Sequence, residues 1–154
     1  MYKSRKQKKW VIRKASVDNA KALSDCMHAA YATYTSRLDG QLLPPLTVNY
    51  EEEIRNFPVW IAESEGNLVG GLILHEDEKG ISIANVAVSP EFQGYGLGRG
   101  LLNYGEAEAR RLGYKEIQLT THILLTENHS LYRHLGWTES NRDEVRVYMK
   151  KRLS

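Results

Sequence analysis

Cysteine is almost absent: Cys26 is the only one among 154 residues. An internal disulfide is therefore excluded, which fits a reducing compartment. No apolar run approaches the ~18 residues that a membrane-spanning helix needs. The opening segment, Met-Tyr-Lys-Ser-Arg-Lys-Gln-Lys-Lys, lacks the apolar core of a secretory signal. These absences predict a cytoplasmic chain with no membrane partner. Metal-binding spacing is missing too: the five histidines form no His-x-x-x-His pair, and Cys26-Met27-His28 is not structural-zinc spacing. No metal is expected. There is no internal repeat, no low-complexity stretch and no interdomain linker.

Charge of one sign is also missing from the body of the chain. Residues 1–9 hold five of the 21 basic side chains and no acidic one. From Trp10 onward 16 basic residues face 19 acidic ones, so no basic stripe continues and no nucleic-acid partner is expected. Residues 1–9 read as a basic, flexible tail, and residues 10–154 as one domain long enough to bury a core.

Within that domain the apolar periodicity gives an alternating order of elements. Trp10 to Arg13 reads as a strand. Ser16, with Asn19 behind it, caps a helix whose apolar positions are Ala20, Leu23, Met27, Ala30 and Tyr31. A short helix is expected over Asn49 to Asn56. Val59 to Glu63 and Leu68 to Leu74 form a hairpin about Glu65-Gly66-Asn67, with glycine and asparagine taking positive φ. A second polar turn, Glu76 to Gly80, leads into a strand ending at Val88. On that strand simple alternation points Ile81, Ile83 and Asn85 one way and Ser82, Ala84 and Val86 the other. Leu97 to Leu112 is the most strongly patterned helix, burying Leu97, Leu101, Ala109 and Leu112, with Gly113 as its stop. Lys115 to Thr120 is a strand, and Glu127 to Leu135 a helix capped by Thr126. Trp137-Thr138-Glu139 and Val145 to Met149 are closing strands. Seven strands and four helices in this order predict an α/β fold: one mixed sheet with helices on both faces.

The densest chemical signal is the turn Gln93-Gly94-Tyr95-Gly96-Leu97-Gly98-Arg99-Gly100, between a buried strand and a helix. Such a turn offers backbone N–H groups and a helix dipole to an anion, most often phosphate. It is not a Walker loop, which would end in Gly-Lys-Ser or Gly-Lys-Thr. A dinucleotide fingerprint would need glycine at position 99 or 101, where Arg99 and Leu101 stand. Its acidic ribose ligand should close the next strand, whereas Glu116 begins it.

The remaining pattern, Gln-x-x-Gly-x-Gly over Gln93 to Gly98, resembles the acetyl-CoA pyrophosphate loop of the GNAT superfamily of N-acetyltransferases. Its flanks agree: Val88-Ser89-Pro90-Glu91-Phe92 before it and Leu101-Leu102 after it. Asn128-His129-Ser130-Leu131-Tyr132-Arg133-His134-Leu135-Gly136-Trp137, an Asn-x-x-x-Tyr-x-x-x-Gly-Trp run, resembles the family's second hallmark, with Trp137 in place of the usual Phe. The resemblance implies a centrally splayed sheet and an acetyl-CoA-dependent N-acetyltransferase domain over residues 10–154. It implies that the pantetheine arm lies beside Val86, Ala87 and Val88, pairing with backbone groups of Val86 and Val88. Gln93, Gly94, Tyr95, Gly96, Leu97, Gly98 and Arg99 would surround the pyrophosphate, and Asn128 would bond the pantetheine. Tyr132, four residues after Asn128 and on the same helical face, would protonate the leaving thiolate. A backbone N–H near Val88 would meet the developing oxyanion. Several relatives pair through late strands, so a homodimer is an expectation; alternatively, Val145 to Met149 lies inside the sheet.

The acceptor side is less determined. An amine must arrive neutral, yet a lysine-like amine has a pKa near 10.4. Asn85 stands where some relatives carry an acidic base. His122 and Glu76 are the leading base candidates, with His75, His28 and Tyr34 behind them; histidine suits proton relay. His129 and His134 read as helix-surface residues. Tyr31, Tyr34, Arg37 and Asn85 are expected to wall a small-molecule or peptide amine site. Arg37 would suit an acceptor carboxylate and Asp39 a cationic acceptor. Two alternatives stay open: a non-catalytic CoA-binding module, and an acyltransferase with another acyl donor.

Overall fold

The structure, a computed structural model, describes residues 8–35, 38 and 44–153. The first seven residues of the expected tail, and Arg37, Asp39 and Leu42-Leu43, lie outside the described residues. Seven strands form one sheet: β1 Val11–Lys14, β2 Val59–Ser64, β3 Asn67–Asp77, β4 Gly80–Val88, β5 Glu116–His122, β6 Thr138–Arg142 and β7 Arg146–Arg152. Their order across the sheet is β1-β2-β3-β4-β5-β7-β6. Only β4 and β5 run parallel; the other neighbours are antiparallel. The helices are α1 Ala20–Ala32, α2 Tyr50–Asn56, α3 Leu97–Arg111 and α4 Thr126–His134. The predicted mixed α/β sheet of seven strands and four helices is the observed one. β7 is internal to the sheet, and β1 and β6 are its edges.

Local chemistry explains most boundaries. Ser16 and Asn19 form the expected box, the Ser16 N–H donating to Asn19 Oδ1 at 2.9 Å, but the chain first makes a 3₁₀ turn, Val17–Asn19. Asn49 caps α2 by accepting the Glu52 N–H at 3.2 Å. The β2–β3 hairpin turns on Glu65 (φ 50°) and Gly66 (φ 81°), so glutamate rather than Asn67 takes the second positive φ. Leu125, not Thr126, caps α4. At the end of α3, Leu112 falls just beyond the helix and is 39% exposed, against the expectation that it is core. Glu106 takes a buried place instead and pairs with Lys151 Nζ at 3.0 Å, tying α3 to β7.

Two apolar layers hold the sheet. Leu72, Leu74, Ile83, Leu101, Leu119 and Trp137 belong to the layer beneath α3. Leu23, Met27, Val59, Ile61 and Ile73 build the layer beneath α1. Alternation along β2 and β3 feeds both layers, as period-two side chains must.

On β4 the alternation breaks. Its register with β3 steps from Ile73↔Asn85 to Leu74↔Ile83, leaving Ala84 as an extra residue in a β-bulge. The expected grouping of Ile81, Ile83 and Asn85 on one face is therefore overturned. Val86 and Val88 pack with Ile81 and Ile83 in the α3 layer, while Asn85 turns with Ala87 towards α1.

Leu101 is fully buried between α3 and the sheet, whereas Val11 on the edge strand is 66% exposed. Leu101→Ala is expected to lower unfolding free energy by about 2–5 kcal/mol. Val11→Ala should stay within about 0.5 kcal/mol. Urea unfolding of the two variants checks the contrast.

Candidate active site

The site begins where two strands part. The parallel pairing of β4 and β5 holds only at Ile81↔Ile117, Ser82↔Gln118 and Ile83↔Leu119. Past the bulge β4 diverges, while β5 stays bonded to β7 as far as His122↔Arg146. The Ser89 N–H donates back to Val69 O at 2.8 Å. In an antiparallel ladder, bonding alternates along the strand, so the polar groups of Val86 and Val88 face the gap. Two side chains already use them: the Tyr31 hydroxyl donates to Val86 O and Gln93 Nε2 to Val88 O, each at 3.2 Å.

Two cavities open from this gap. One, of about 440 Å³, is lined by Val86 to Val88 and by Gln93, Gly94, Gly96, Gly98 and Arg99. The other, of about 360 Å³, lies towards Asn85, Thr120 to His122 and Arg146. They share Tyr31, Val86, Asn128 and Tyr132, which therefore stand at their junction.

The glycine loop forms the floor of the larger cavity. Gly94 (φ 83°) and Gly96 (φ 91°) turn the chain, and Gly96 caps α3 in the left-handed region. The first-turn amides of α3 have no intrahelical acceptor and open beside the loop. Leu97 is fully buried, so only its backbone is available to a ligand. The Tyr95 ring packs 6.4 Å from Phe92, and Lys8 Nζ sits 4.4 Å over Phe92 and 4.6 Å over Tyr95 while donating to Glu91 O at 2.9 Å. Tyr95 thus braces the loop rather than lining the cavity.

Residues 21–137 match the sequence model of the Acetyltransferase (GNAT) family. The chain belongs to that family. N-acetyltransferase YjgM of Escherichia coli (strain K12), itself uncharacterized, is 34% identical over 82 residues, which cover 51% of this chain and 49% of that protein. The chain thus matches about half the length of that relative. Among solved structures, the PaiA N-acetyltransferase of Thermoplasma acidophilum in complex with coenzyme A superposes with a TM-score of 0.81 at 18% identity. The match covers 94% of this chain and 99% of that one. The ribosomal-protein-S18-alanine N-acetyltransferase of Escherichia coli gives 0.73 at 18% identity, covering 95% of each chain. At such identities the likeness is one of fold.

In this GNAT domain α4 carries the second set of site residues. Asn128 lies in its first turn, its N–H bonded to Leu125 O at 3.0 Å. Tyr132 follows one turn later and packs edge-on against Trp137, ring centroids 6.1 Å apart. Burial, and then the neighbouring Tyr34, push the Tyr132 hydroxyl up to about 12. Burial raises Tyr31 still more strongly, and Tyr31 and Tyr34 meet at 6.0 Å. Tyr31 and Tyr132 therefore stay protonated at neutral pH and can donate hydrogen bonds.

Not every expected residue reaches this place. Glu76 sits on β3 opposite Ile81, at the joined end of the sheet, and accepts the Tyr114 hydroxyl at 2.6 Å. It is exposed and lines neither cavity. His75 bonds Glu53 at 2.9 Å, and exposed His28 bonds the Ser24 carbonyl at 2.8 Å; neither lines a cavity. His122 does line the smaller cavity, but its Nδ1 accepts the Leu124 N–H at 3.1 Å. The neutral ring therefore keeps its proton on Nε2 and presents a donor rather than a base. His129, expected on the surface, is 5% exposed, and its Nε2–H donates to His122 O at 2.8 Å. That bond pins the start of α4 to the end of β5. Among the described residues no group of three or more His, Cys, Asp or Glu could hold a metal ion.

The sequence reading missed Arg146, Thr120 and Thr121 in the smaller cavity. The strands that carry them were legible; the β5–β7 pairing that brings Arg146 opposite His122 was not.

A Cβ on Gly96 would meet nothing within 4 Å, so the cost of adding one is conformational. Gly96→Ala should destabilise by about 1–2 kcal/mol, the penalty of a left-handed alanine. Gly98 lies inside α3, and its added Cβ would meet Val88 Cγ2 at an ordinary 3.6 Å. Gly98→Ala should be neutral or stabilising by up to about 1 kcal/mol. Denaturant titration of the pair reads the difference.

Proposed function

We propose that this domain moves an acetyl group from acetyl-CoA to an amine by direct attack within a ternary complex. The observation that carries the reading is the meeting, at Tyr132, of a glycine-loop cavity and a second cavity across parted strands. The donor set fits a CoA ester. Amides at the start of α3 suit a diphosphate, and the β4 edge offers backbone partners to an amide-bearing arm. Asn128 adds a side-chain amide at the junction. Tyr31 and Gln93, which cap the Val86 and Val88 carbonyls, would yield those acceptors to the arm. When bound, acetyl-CoA supplies an activated thioester.

The chain's own residues then have distinct tasks. Cys26 is no candidate for covalent catalysis: it is buried in α1, lines neither cavity, and burial lifts its thiol to about 11. A backbone N–H of β4 facing the gap near Val88 would receive the developing oxyanion. The Tyr132 hydroxyl donates to the leaving sulfur as charge develops. At about 12 it lies well above an ordinary thiol near 8.5, so it serves by hydrogen bonding more than by surrendering its proton. No carboxylate lines the smaller cavity among the described residues, and His122 is a donor there. The acceptor is therefore drawn from solution as neutral amine.

Thiol release from acetyl-CoA over a panel of amines, beside calorimetric acetyl-CoA binding, tests the reading. Saturable, acceptor-dependent release supports it; binding without release for any amine would mark a non-catalytic module. Tyr132→Phe is expected to lower kcat about 10²-fold, the cost of one donor to a developing charge, with acetyl-CoA Kd little altered. The acceptor kcat/KM should rise tenfold per pH unit up to the pKa of the amine, with no fall below pH ~10 from Tyr132, whose raised pKa keeps it protonated throughout. A plateau set by a protein group near pH 6.5 would mean that a histidine is the base after all.

A further inference from the structure

The smaller cavity has a sign. Among the described residues lining it, Arg146 is the single permanently charged side chain, and none is a carboxylate. The rest of the polar lining is neutral: Asn85, Asn128, Thr120, Thr121, His122 and the tyrosines. Arg146 is placed by register. It opposes His122 at the far end of the β5–β7 ladder, so both lie on the sheet face opposite Leu119 and Val147, which are in the α3 core. The bulge at Ala84 turns Asn85 to that same face. Asn85 is 8% exposed, and no hydrogen bond joins its carboxamide to any described residue.

The guanidinium of Arg146 is unspent. Arg133 and Arg142 on neighbouring elements are both paired with Glu139, at 3.0 and 2.6 Å, but among the described residues no carboxylate lies within 4.0 Å of Arg146. Its hydrogen bond is a long one, 3.4 Å to the Tyr148 hydroxyl. Asp143 is the nearby acid, yet its oxygens are taken. Oδ1 accepts the Val145 and Arg146 amides at 2.8 and 2.7 Å, and Oδ2 accepts the Tyr148 hydroxyl at 3.2 Å. Those bonds hold the β6–β7 turn; Asp143 still attracts Arg146 through space, but forms no ion pair with it, so the guanidinium keeps donors for a ligand.

Resting on the transferase reading above, we infer that the acceptor is an amine that also carries a carboxylate, an amino acid or the equivalent, and that Arg146 holds the carboxylate. A planar fork of donors matches a carboxylate in two bonds. One cation among neutral amides and hydroxyls suits a monoanion, whereas a phosphate dianion calls for more. Within the cavity a polycationic amine would meet Arg146 and, among the described lining residues, no carboxylate to bind its charges. Asn85 supplies a neutral donor and acceptor beside the amine.

The test pairs each common α-amino acid with its own carboxamide and its decarboxylated amine, comparing kcat/KM per unit of neutral amine because the amide lowers the pKa of the amine. At least one acid should exceed its amide by about tenfold or more, the value of a hydrogen-bonded charge. Arg146→Gln should erase that preference through KM, and Arg146→Lys should restore part of it. The acetyl-CoA Kd of both variants reports that they fold. Amides or cationic amines used as well as the acids, or a preference that survives Arg146→Gln, would overturn the assignment and leave the transferase standing. No turnover with any acceptor, despite acetyl-CoA binding, would remove the transferase reading and this inference together.

Discussion

Everything at the site depends on β4 leaving β5 after Ile83. The extra residue Ala84 bends the strand and reverses which face its later side chains occupy. Without it, Val86 and Val88 would turn towards α1 and Asn85 towards α3. With it, the two valines complete the α3 core, and Asn85 is delivered to the smaller cavity. The parting leaves backbone donors and acceptors of β4 without a strand partner. Backbone groups inside a protein are normally paired. Here two are met by side chains, Tyr31 and Gln93, whose bonds can be exchanged for those of a ligand. A gap in a sheet is thus stable enough to persist and unsatisfied enough to bind.

The opposite wall is kept in place by a different device. β5 has lost β4 beyond Leu119, but its ladder with β7 continues to His122. The buried His129 side chain then clasps the His122 carbonyl, fixing α4 against the strand end. Asn128 precedes His129 and Tyr132 follows one turn on, so one hydrogen bond orients both residues that face the gap. The Glu106–Lys151 pair anchors the other side: Lys151 Nζ also donates to Leu135 O at 2.7 Å, joining α3, β7 and the end of α4. A buried pair of this sort is better understood as specifying an arrangement than as a source of stability.

Much of this was legible in the residues because it is local. Period-two and helical apolar spacing gave the seven strands and four helices, and the glycine turn and Asn128–Tyr132 pair gave the site's two sides. What escaped is what depends on neighbours. A bulge is a mismatch between two strands, so Ala84 carries no mark of it in its own sequence. Leu112 fits the apolar stripe of α3, yet the helix stops one residue short and the side chain turns to solvent. His129 looked solvent-facing on a helix rich in polar residues; it is buried because α4 begins at the end of β5. Glu76 and His122 looked equivalent as bases. The pairing of β3 with β4 sends Glu76 to the wrong end of the sheet, and a backbone amide takes the His122 lone pair.

On the transferase reading the parted sheet would also separate the two reactants by face. The glycine loop and α3 occupy one side, where a CoA ester would enter along β4. Arg146, His122 and Thr120 occupy the other, on strands that α1 does not reach across. The two cavities touch only through Tyr31, Val86, Asn128 and Tyr132. A domain this small cannot bury both partners in one pocket without hollowing its core. Splitting the sheet gives each partner a surface cavity and brings them together at a narrow junction. On the proposed reading, the apolar and phenolic lining there would keep water from the thioester, and hydrogen bonds to developing charge would count for more than in solvent. The charge of the acceptor can then be read at the outer rim, by Arg146, without placing a fixed charge beside the reacting carbonyl. If both proposals hold, specificity and chemistry are separated along one strand pair, so the rim could change its acceptor while the junction keeps its task.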